Sequence, residues 1–359
     1  MRDNPSRSVR IPHQTAYFLR RACLWAVMCL CGVSLSALDP QRDIHQFAHR
    51  SWLEKDGYPG QPQALAQTTD GFLWIGTFDG LYRFDGVQFE RYRSRSGDEL
   101  PDDGVLSLLA LPDGSLWIGF SNEGKISVLR NGNVTTYVSA IGLPKSAGIF
   151  VIIQDHEGTM WANTGEGLIR LNGTRWERIG SQWGLPQEIQ HSISHALFVD
   201  SHGILWAGIG HTVMHLRQGS KRFEPTGAYA GYVESIAEAP DGKIWMADES
   251  SATRVISTSV SAKSAARARC EVVDDSLTSK CPSDGQLEIR MNSATFLFDR
   301  DGSLWINLLD DGLRRVSYPQ RLKNQSIPQL GDEVQSFTSK DGLSADNCIS
   351  ILEDREGNI

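Results

Sequence analysis

Along most of the chain the apolar residues fall in short runs, not in helical stripes. Val151-Ile152-Ile153-Gln154 and Ser194-His195-Ala196-Leu197-Phe198 are bounded by turn-forming residues, which predicts strands. Phe89-Glu90-Arg91-Tyr92, Val134-Thr135-Thr136-Tyr137 and Trp176-Glu177-Arg178-Ile179 alternate in polarity, the pattern of a strand with one face in water. A stripe with a period of 3.6 residues is nowhere sustained, which argues against a helical solenoid.

The strands belong to a repeat. Asp70-Gly71-Phe72-Leu73-Trp74-Ile75-Gly76 recurs as Asp113-Gly114-Ser115-Leu116-Trp117-Ile118-Gly119, Glu157-Gly158-Thr159-Met160-Trp161 and His202-Gly203-Ile204-Leu205-Trp206-Ala207-Gly208. Further copies are Asp241-Gly242-Lys243-Ile244-Trp245 and Asp301-Gly302-Ser303-Leu304-Trp305. The Trp positions advance by 43, 44, 45, 39 and 60, and six of the ten Trp hold this slot. A second pattern follows: Gly80-Leu81-Tyr82-Arg83-Phe84-Asp85-Gly86 and Gly167-Leu168-Ile169-Arg170-Leu171-Asn172-Gly173, with Gly312-Leu313-Arg314-Arg315-Val316 as a shorter copy. Gly142-Leu143-Pro144 and Gly184-Leu185-Pro186 separate units.

Asp-x-x-Gly is hairpin punctuation, with Gly supplying the positive φ. Four strands in about 40 residues match one blade of a β-propeller. The expected fold is therefore all-β: a propeller of four-stranded antiparallel blades over residues 42–359, seven in number, six complete and one begun. The repeat motifs lie near 70–86, 113–132, 157–173, 202–219, 241–256, 301–316 and 354–359. Trp74, Trp117, Trp161, Trp206, Trp245 and Trp305 are expected to fill the wedge between neighbouring blades. The small residue two places on keeps the next backbone close. The long interval before Trp305 places a surface insertion at about 257–286, rich in Ser, Ala, Lys and Asp.

Ile349 to Ile359 runs up to the position where the next Trp is due. Two readings follow: a truncated array, which the perfect start of a seventh unit favours, or a ring whose last strands come from residues 42–53.

Charge and the chain's first residues add a compartment. Residues 1–37 carry Arg2, Arg7, Arg10, Arg20 and Arg21, then an apolar run Ala22–Leu35 and small residues at Ser34, Ser36 and Ala37. That order predicts a secretory signal peptide; an uncleaved anchor is the alternative, and the short apolar run weighs against it. The remainder holds 30 basic and 42 acidic residues, net −12, which argues against nucleic acid as a partner. Export implies an oxidising compartment. Of six Cys, three lie in the leader; Cys270 and Cys281 can form a disulfide or remain thiols, and Cys348 is left over.

Chemical machinery is sparse. His191 and His195 fall on one face of a presumed inner strand without an identifiable third ligand, so no metal site and no cofactor are expected. The repeated Arg83, Arg170 and Arg314 point to a structural role, and the repeated Asp to turns. A ligand would meet the face over the central channel, built from turns between second and third strands. Phe78, Asp79, Asn122, Glu166, His211 and Asp310 are the candidates there, with a small molecule or glycan as the ligand.

Asp70-Gly71-Phe72-Leu73-Trp74-Ile75-Gly76-Thr77, Gly80-Leu81-Tyr82-Arg83-Phe84-Asp85-Gly86, the Gly-Leu-Pro separators and the opening Phe47-Ala48-His49-Arg50-Ser51-Trp52 resemble the two-component regulator propeller repeat. The resemblance implies a periplasmic sensing region of a bacterial signalling protein, followed in such proteins by a β-domain, a membrane helix and a histidine kinase or diguanylate cyclase. Catalysis is not expected of this chain. A homodimer would form through such a following domain, and contact with a membrane would come through that helix or an uncleaved leader. Asn163, Ala247 and Asn307 depart from the pattern's Gly after Trp. The repeats are also similar to those of streptogramin-lyase propellers, which keeps a channel-centred enzyme as an alternative. A secreted protein-binding scaffold is a third reading.

Overall fold

In the computed structural model, Leu38–Ile359 form one compact unit. The structure describes residues 41–93, 100–101, 104–138, 142–186, 196–210, 212–229, 233–248, 252–256, 271–272, 279–280, 288–290, 293–308, 311–321 and 334–359. The leader, His191, His195, His211, Asp310, Cys270 and Cys281 lie outside them.

The described strands build six four-stranded antiparallel sheets, each a meander in chain order. Sheet one comprises Ala64–Gln67, Leu73–Thr77, Gly80–Phe84 and Phe89–Arg91; sheet two comprises Val105–Ala110, Leu116–Phe120, Ile126–Arg130 and Asn133–Tyr137. Ile149–Gln154, Met160–Thr164, Gly167–Asn172 and Arg175–Arg178 make sheet three; Leu197–Val199, Leu205–Ile209, Thr212–Leu216 and Glu224–Tyr229 make sheet four. Sheet five is Val233–Glu238, Ile244–Asp248, Ala252–Val255 and Glu288–Arg290; sheet six is Ser293–Phe298, Leu304–Leu308, Gly312–Val316 and Val334–Phe337. First strands of successive sheets pack on one another from sheet one to sheet six, so they line a common axis as propeller blades do. A count of seven is not shown by these strands. In the stretch expected to be an insertion, Glu271–Val272 pairs with Ser279–Lys280, between the third and fourth strands of sheet five.

The indoles do the expected packing. All six repeat Trp are buried, 2–8 % exposed; the first five face the following sheet, and Trp305 packs on Ile44, Phe47, Leu343 and Ile351. Trp74 packs with Val105, Leu116 and Ile118; Trp117 with Ile149, Met160 and Ala162; Trp161 with Leu197, Leu205 and Ala207. Trp206 meets Val233, Ile244 and Met246, and Trp245 meets Phe296, Leu304 and Ile306. Close approach explains the Gly two places on. A Cβ on Gly76 would lie 2.6 Å from Val105 Cγ1, and one on Gly119 would lie 2.8 Å from Ile149 Cγ2.

The Asp-x-x-Gly turns do more than reverse the chain. In sheets three and four the first Asp of the turn accepts from two backbone N–H groups with Oδ1, in sheet six Asp299 Oδ1 accepts from Ser303 N–H, and in all three Oδ2 accepts the indole Nε1–H of the Trp six residues on. These bonds are Trp161 to Asp155 at 2.7 Å, Trp206 to Asp200 at 2.8 Å and Trp305 to Asp299 at 2.7 Å. Thr68 plays the part for Trp74, at 2.8 Å. The turn residue thus fixes its own hairpin and the rotamer of the wedge.

Opposite each Trp on the third strand stands Arg83, Val128, Arg170, His215, Val255 or Arg315. Arg315, not Arg314, is the repeated residue of sheet six: Gly312-Leu313-Arg314-Arg315 places the second Arg in the slot. Its guanidinium lies 5.3 Å from the Trp305 ring and 4.9 Å from Phe47. Arg314 is turned elsewhere, pairing with Asp311 at 2.6 Å.

Between sheets six and one lie two segments without assigned strands. Residues 42–53, weighed above as closing strands, hold a 3₁₀ turn at Ile44–Gln46 and bridge outer strands instead. Ile44 and Phe47 pack on Trp305 and Phe337, His49 meets Phe337 edge-on at 5.1 Å, and Trp52 meets Phe84 at 5.0 Å. Residues 349–358 lie inside them. Thr295 Oγ donates to the Ile349 carbonyl at 3.4 Å, as Ser107 Oγ donates to the Ile149 carbonyl at 3.0 Å between sheets two and three.

A second contact repeats around the ring. The backbone N–H after the first turn residue donates to the side chain that ends the next first strand. Ser201 N–H reaches Glu238 at 2.7 Å between sheets four and five. Arg300 N–H reaches Glu353 at 3.0 Å, and Arg355 N–H reaches Gln67 at 2.7 Å. Residues 353–355 therefore join sheet six to sheet one with the bond that joins four to five.

Candidate functional site

The rim candidates sit where second strands turn into third strands. In sheet one, Thr77 Oγ1 accepts from Asp79 N–H at 3.1 Å and donates to the Gly80 carbonyl at 3.2 Å. Sheet three repeats this device: Thr164 Oγ1 accepts from Glu166 N–H at 3.1 Å and donates to the Gly167 carbonyl at 2.8 Å. A Thr ending the second strand thus presents a carboxylate, Asp79 or Glu166, at the equivalent point of two sheets. Arg91 Nη2 donates to the Asp79 carbonyl at 2.7 Å, closing this turn against the fourth strand.

Phe78 is 63 % exposed, the most costly exposure on this face for an apolar ring. Gly104, at the entry to sheet two, passes beneath it: a Cβ there would lie 3.0 Å from Phe78 Cα. Asn122 is exposed and Glu166 is half-buried. Sheets one, two and three therefore each offer a side chain at the matching turn, but no hydrogen bond or ion pair joins Phe78, Asp79, Asn122 and Glu166 to one another. His211 and Asp310 lie outside the described residues.

Two groups that sequence reasoning did not place there stand beside the entries of first strands. Burial pushes the Tyr58 phenol above its ordinary range, with the charge of Cys348 adding to the rise. Burial likewise raises the Cys348 thiol, helped by Asp346. The only cue in the sequence was Gly57-Tyr58-Pro59 in the separator position.

A polar groove lies between sheets three and four, lined among others by Asp155, His156, Arg170, Trp183 and Gln218. The Arg170 guanidinium lies 4.8 Å from the Trp183 ring and pairs with Glu177 at 3.0 Å. Both indoles on its floor, Trp161 and Trp183, are buried, so their faces are spent on packing. Among the described residues no group of three or more His, Cys, Asp or Glu is arranged to hold a metal ion, and no helix is long and apolar enough to cross a membrane.

No family model and no curated protein matches the chain. Solved structures do. The extracellular domain of the protein named hybrid two component system BT3049, from B. thetaiotaomicron, superposes with a TM-score of 0.59 at 16 % identity, over 85 % of this chain and 39 % of that one. PorZ, a surface component of the type-IX secretion system of Porphyromonas gingivalis, gives 0.57 at 14 % identity, over 86 % and 46 %. A catalytically inactive virginiamycin B lyase from Staphylococcus aureus, solved with quinupristin, gives 0.53 at 14 % identity, over 81 % and 85 %. The chain thus spans about two-fifths of the first of these structures. At such identities the likeness shows the propeller fold.

Proposed function

We propose that the chain is an extracytoplasmic sensing or interaction propeller of a two-component-type signalling protein, and that catalysis resides elsewhere. The observation that supports this most is the likeness, over 85 % of the chain, to the extracellular domain of a hybrid two component system protein. The repeat motifs had led to the same class, and a basic, then apolar leader fits an exported protein. The ligand is a small molecule or glycan bound at the rim that carries Phe78, Asp79, Asn122 and Glu166. An exposed phenyl ring beside hydrogen-bonding carboxylates suits the apolar face and hydroxyl edge of a sugar. Sevenfold closure belongs to the proposal: it is supported by the repeated bond through residues 353–355.

The test is a thermal-shift screen of small molecules and glycans, followed by calorimetric titration with Phe78→Ala and Glu166→Gln. A hit whose affinity falls in both variants supports the rim. A hit that both variants bind unchanged moves the site elsewhere. The lyase reading draws on the structure solved with quinupristin; incubation of the chain with quinupristin, followed for loss of the intact compound, decides it.

A further inference from the structure

The groove between sheets three and four lies at the end of the sheets opposite Phe78. Its walls are turns between first and second strands, around His156 and Gly203, and a turn between third and fourth strands, at Gln218. The turns that carry Phe78 and Glu166 join second strands to third ones instead. Its empty volume, part of it open to solvent, is about 390 Å³, within the range of small-molecule sites.

Three polar groups converge on this groove. Arg170 is held from two sides: Nη2 pairs with Glu177 at 3.0 Å, and the guanidinium lies 4.8 Å from the Trp183 ring and 5.8 Å from the Trp161 ring. Its buried Nε–H has no acceptor among the described residues, an arrangement that is costly until an acceptor arrives. Gly203, with a φ of +77°, leaves a hollow beside it. A Cβ there would lie 3.1 Å from His156 Nδ1 and 3.2 Å from Gln218 Oε1, so the imidazole and the amide face each other over the glycine. At the equivalent gap between sheets five and six an apolar ring stands instead, with Pro240 Cγ 3.3 Å from the place of a Gly302 Cβ. Stacking of the sheets therefore does not require the polar pair.

Charge does not select an anion here. Glu177 answers Arg170, and Glu224 answers Arg217 at 3.7 Å. Both Asp155 oxygens are taken by N–H groups, those of Glu157, Thr159 and the Trp161 indole. What remains is hydrogen-bonding capacity: one fixed donor, and two groups that each donate and accept. Hydroxyl groups spaced around a small ring match that set, since each of them also donates and accepts.

We propose that this groove is a binding site for a neutral polyhydroxylated ligand, a single sugar ring. One hydroxyl oxygen accepts from Arg170 Nε–H, and others bond to His156 and Gln218. The buried Trp161 and Trp183 serve by holding the guanidinium, not by stacking on the sugar. The site is separate from the rim at Phe78 and does not depend on it.

D-Glucose, D-galactose and D-mannose are the probes, with D-glucuronate as the charged counterpart, titrated into the full chain and read by saturation-transfer NMR and calorimetry. Saturable binding of at least one neutral sugar is expected. His156→Ala and Gln218→Ala, both at exposed positions, are each expected to weaken it about fivefold to tenfold, and Phe78→Ala to leave it unchanged. Cooperative melting of the two groove variants shows that the fold survives. Failure of all three sugars to saturate overturns the proposal. So does glucuronate binding tighter than glucose with an affinity that falls as salt rises, which makes the groove an anion site. Binding that both groove variants leave unchanged overturns it too; if Phe78→Ala abolishes that binding, the sugar belongs to the rim.

Discussion

Sheets four and five place the same indole in the same slot and hold it by different means. Trp206 donates to Asp200 at 2.8 Å, and the His215 ring lies 5.4 Å from it. Trp245 has Ala239 where Asp200 would stand and Val255 where His215 would stand; its neighbours are Phe296, Leu304 and Ile306, with Phe298 edge-on at 5.8 Å. Both rings are buried to the same degree. What the architecture requires is the volume of the ring against the next sheet; the polar anchor is one way of orienting it.

The largest effect should come from removing that volume. Trp206→Ala and Trp245→Ala are each expected to lower stability by about 3–5 kcal/mol in urea unfolding. A loss confined to sheet four would break the equivalence. Gly119→Leu should follow, because the new side chain would enter the space of Ile149; overpacking of this kind costs about 1–3 kcal/mol. Asp200→Ala leaves a buried indole N–H and two turn N–H groups without their acceptor, and about 1–3 kcal/mol is expected to go. The mirror change, Ala239→Asp, offers Trp245 an acceptor; a rise in stability of about 1 kcal/mol sharpens the comparison, and a fall shows that sheet five has no room for the anchor.

The smallest effects are those of pH. Burial holds the His215 imidazole below its ordinary pKa, against the pull of Glu224 and with Arg217 assisting. The folded chain therefore binds the proton less readily than the unfolded one. Stability is complete above about pH 6.5 and declines as pH falls below it. His215→Gln should flatten the fall of the melting temperature between pH 7.5 and 5.5, while sheet five, with Val255 in that slot, contributes no such slope. At lower pH the turns take over. Asp113 is held below the usual carboxylate range by Ser115 and Arg130, and Asp341 by Thr338. Their contributions are present above about pH 3.8 and are lost as pH falls further.

The Trp period, the Gly that follows it and the turn chemistry were readable in the sequence, because each is a local consequence of packing flat sheets. So was the placement of Phe78, Asp79, Asn122 and Glu166 in turns between second and third strands, since the repeat spacing marks those turns. The Asp-to-indole bond was also there to be read, as an Asp six residues before Trp161, Trp206 and Trp305. Contacts between distant residues were not readable. Phe47 covers Arg315, and Gln67 accepts from Arg355 across an interval of 288 residues, with no pattern to announce either. Arg314 was mistaken for the repeated residue because two Arg stand side by side, and only strand register separates them. Residues 42–53 carry aromatic residues but no alternation, and they fold as turns packed over two sheets.

The central claim is that six Trp-wedged sheets close into one ring through residues 353–355. Amide hydrogen exchange, comparing the full chain with one lacking residues 348–359, tests it most directly. Exchange should quicken at Ala64–Gln67 and Ser293–Phe298, the two first strands that flank the joint, and remain unchanged at Ile149–Gln154. Equal protection at all three strands in both proteins would contradict the ring.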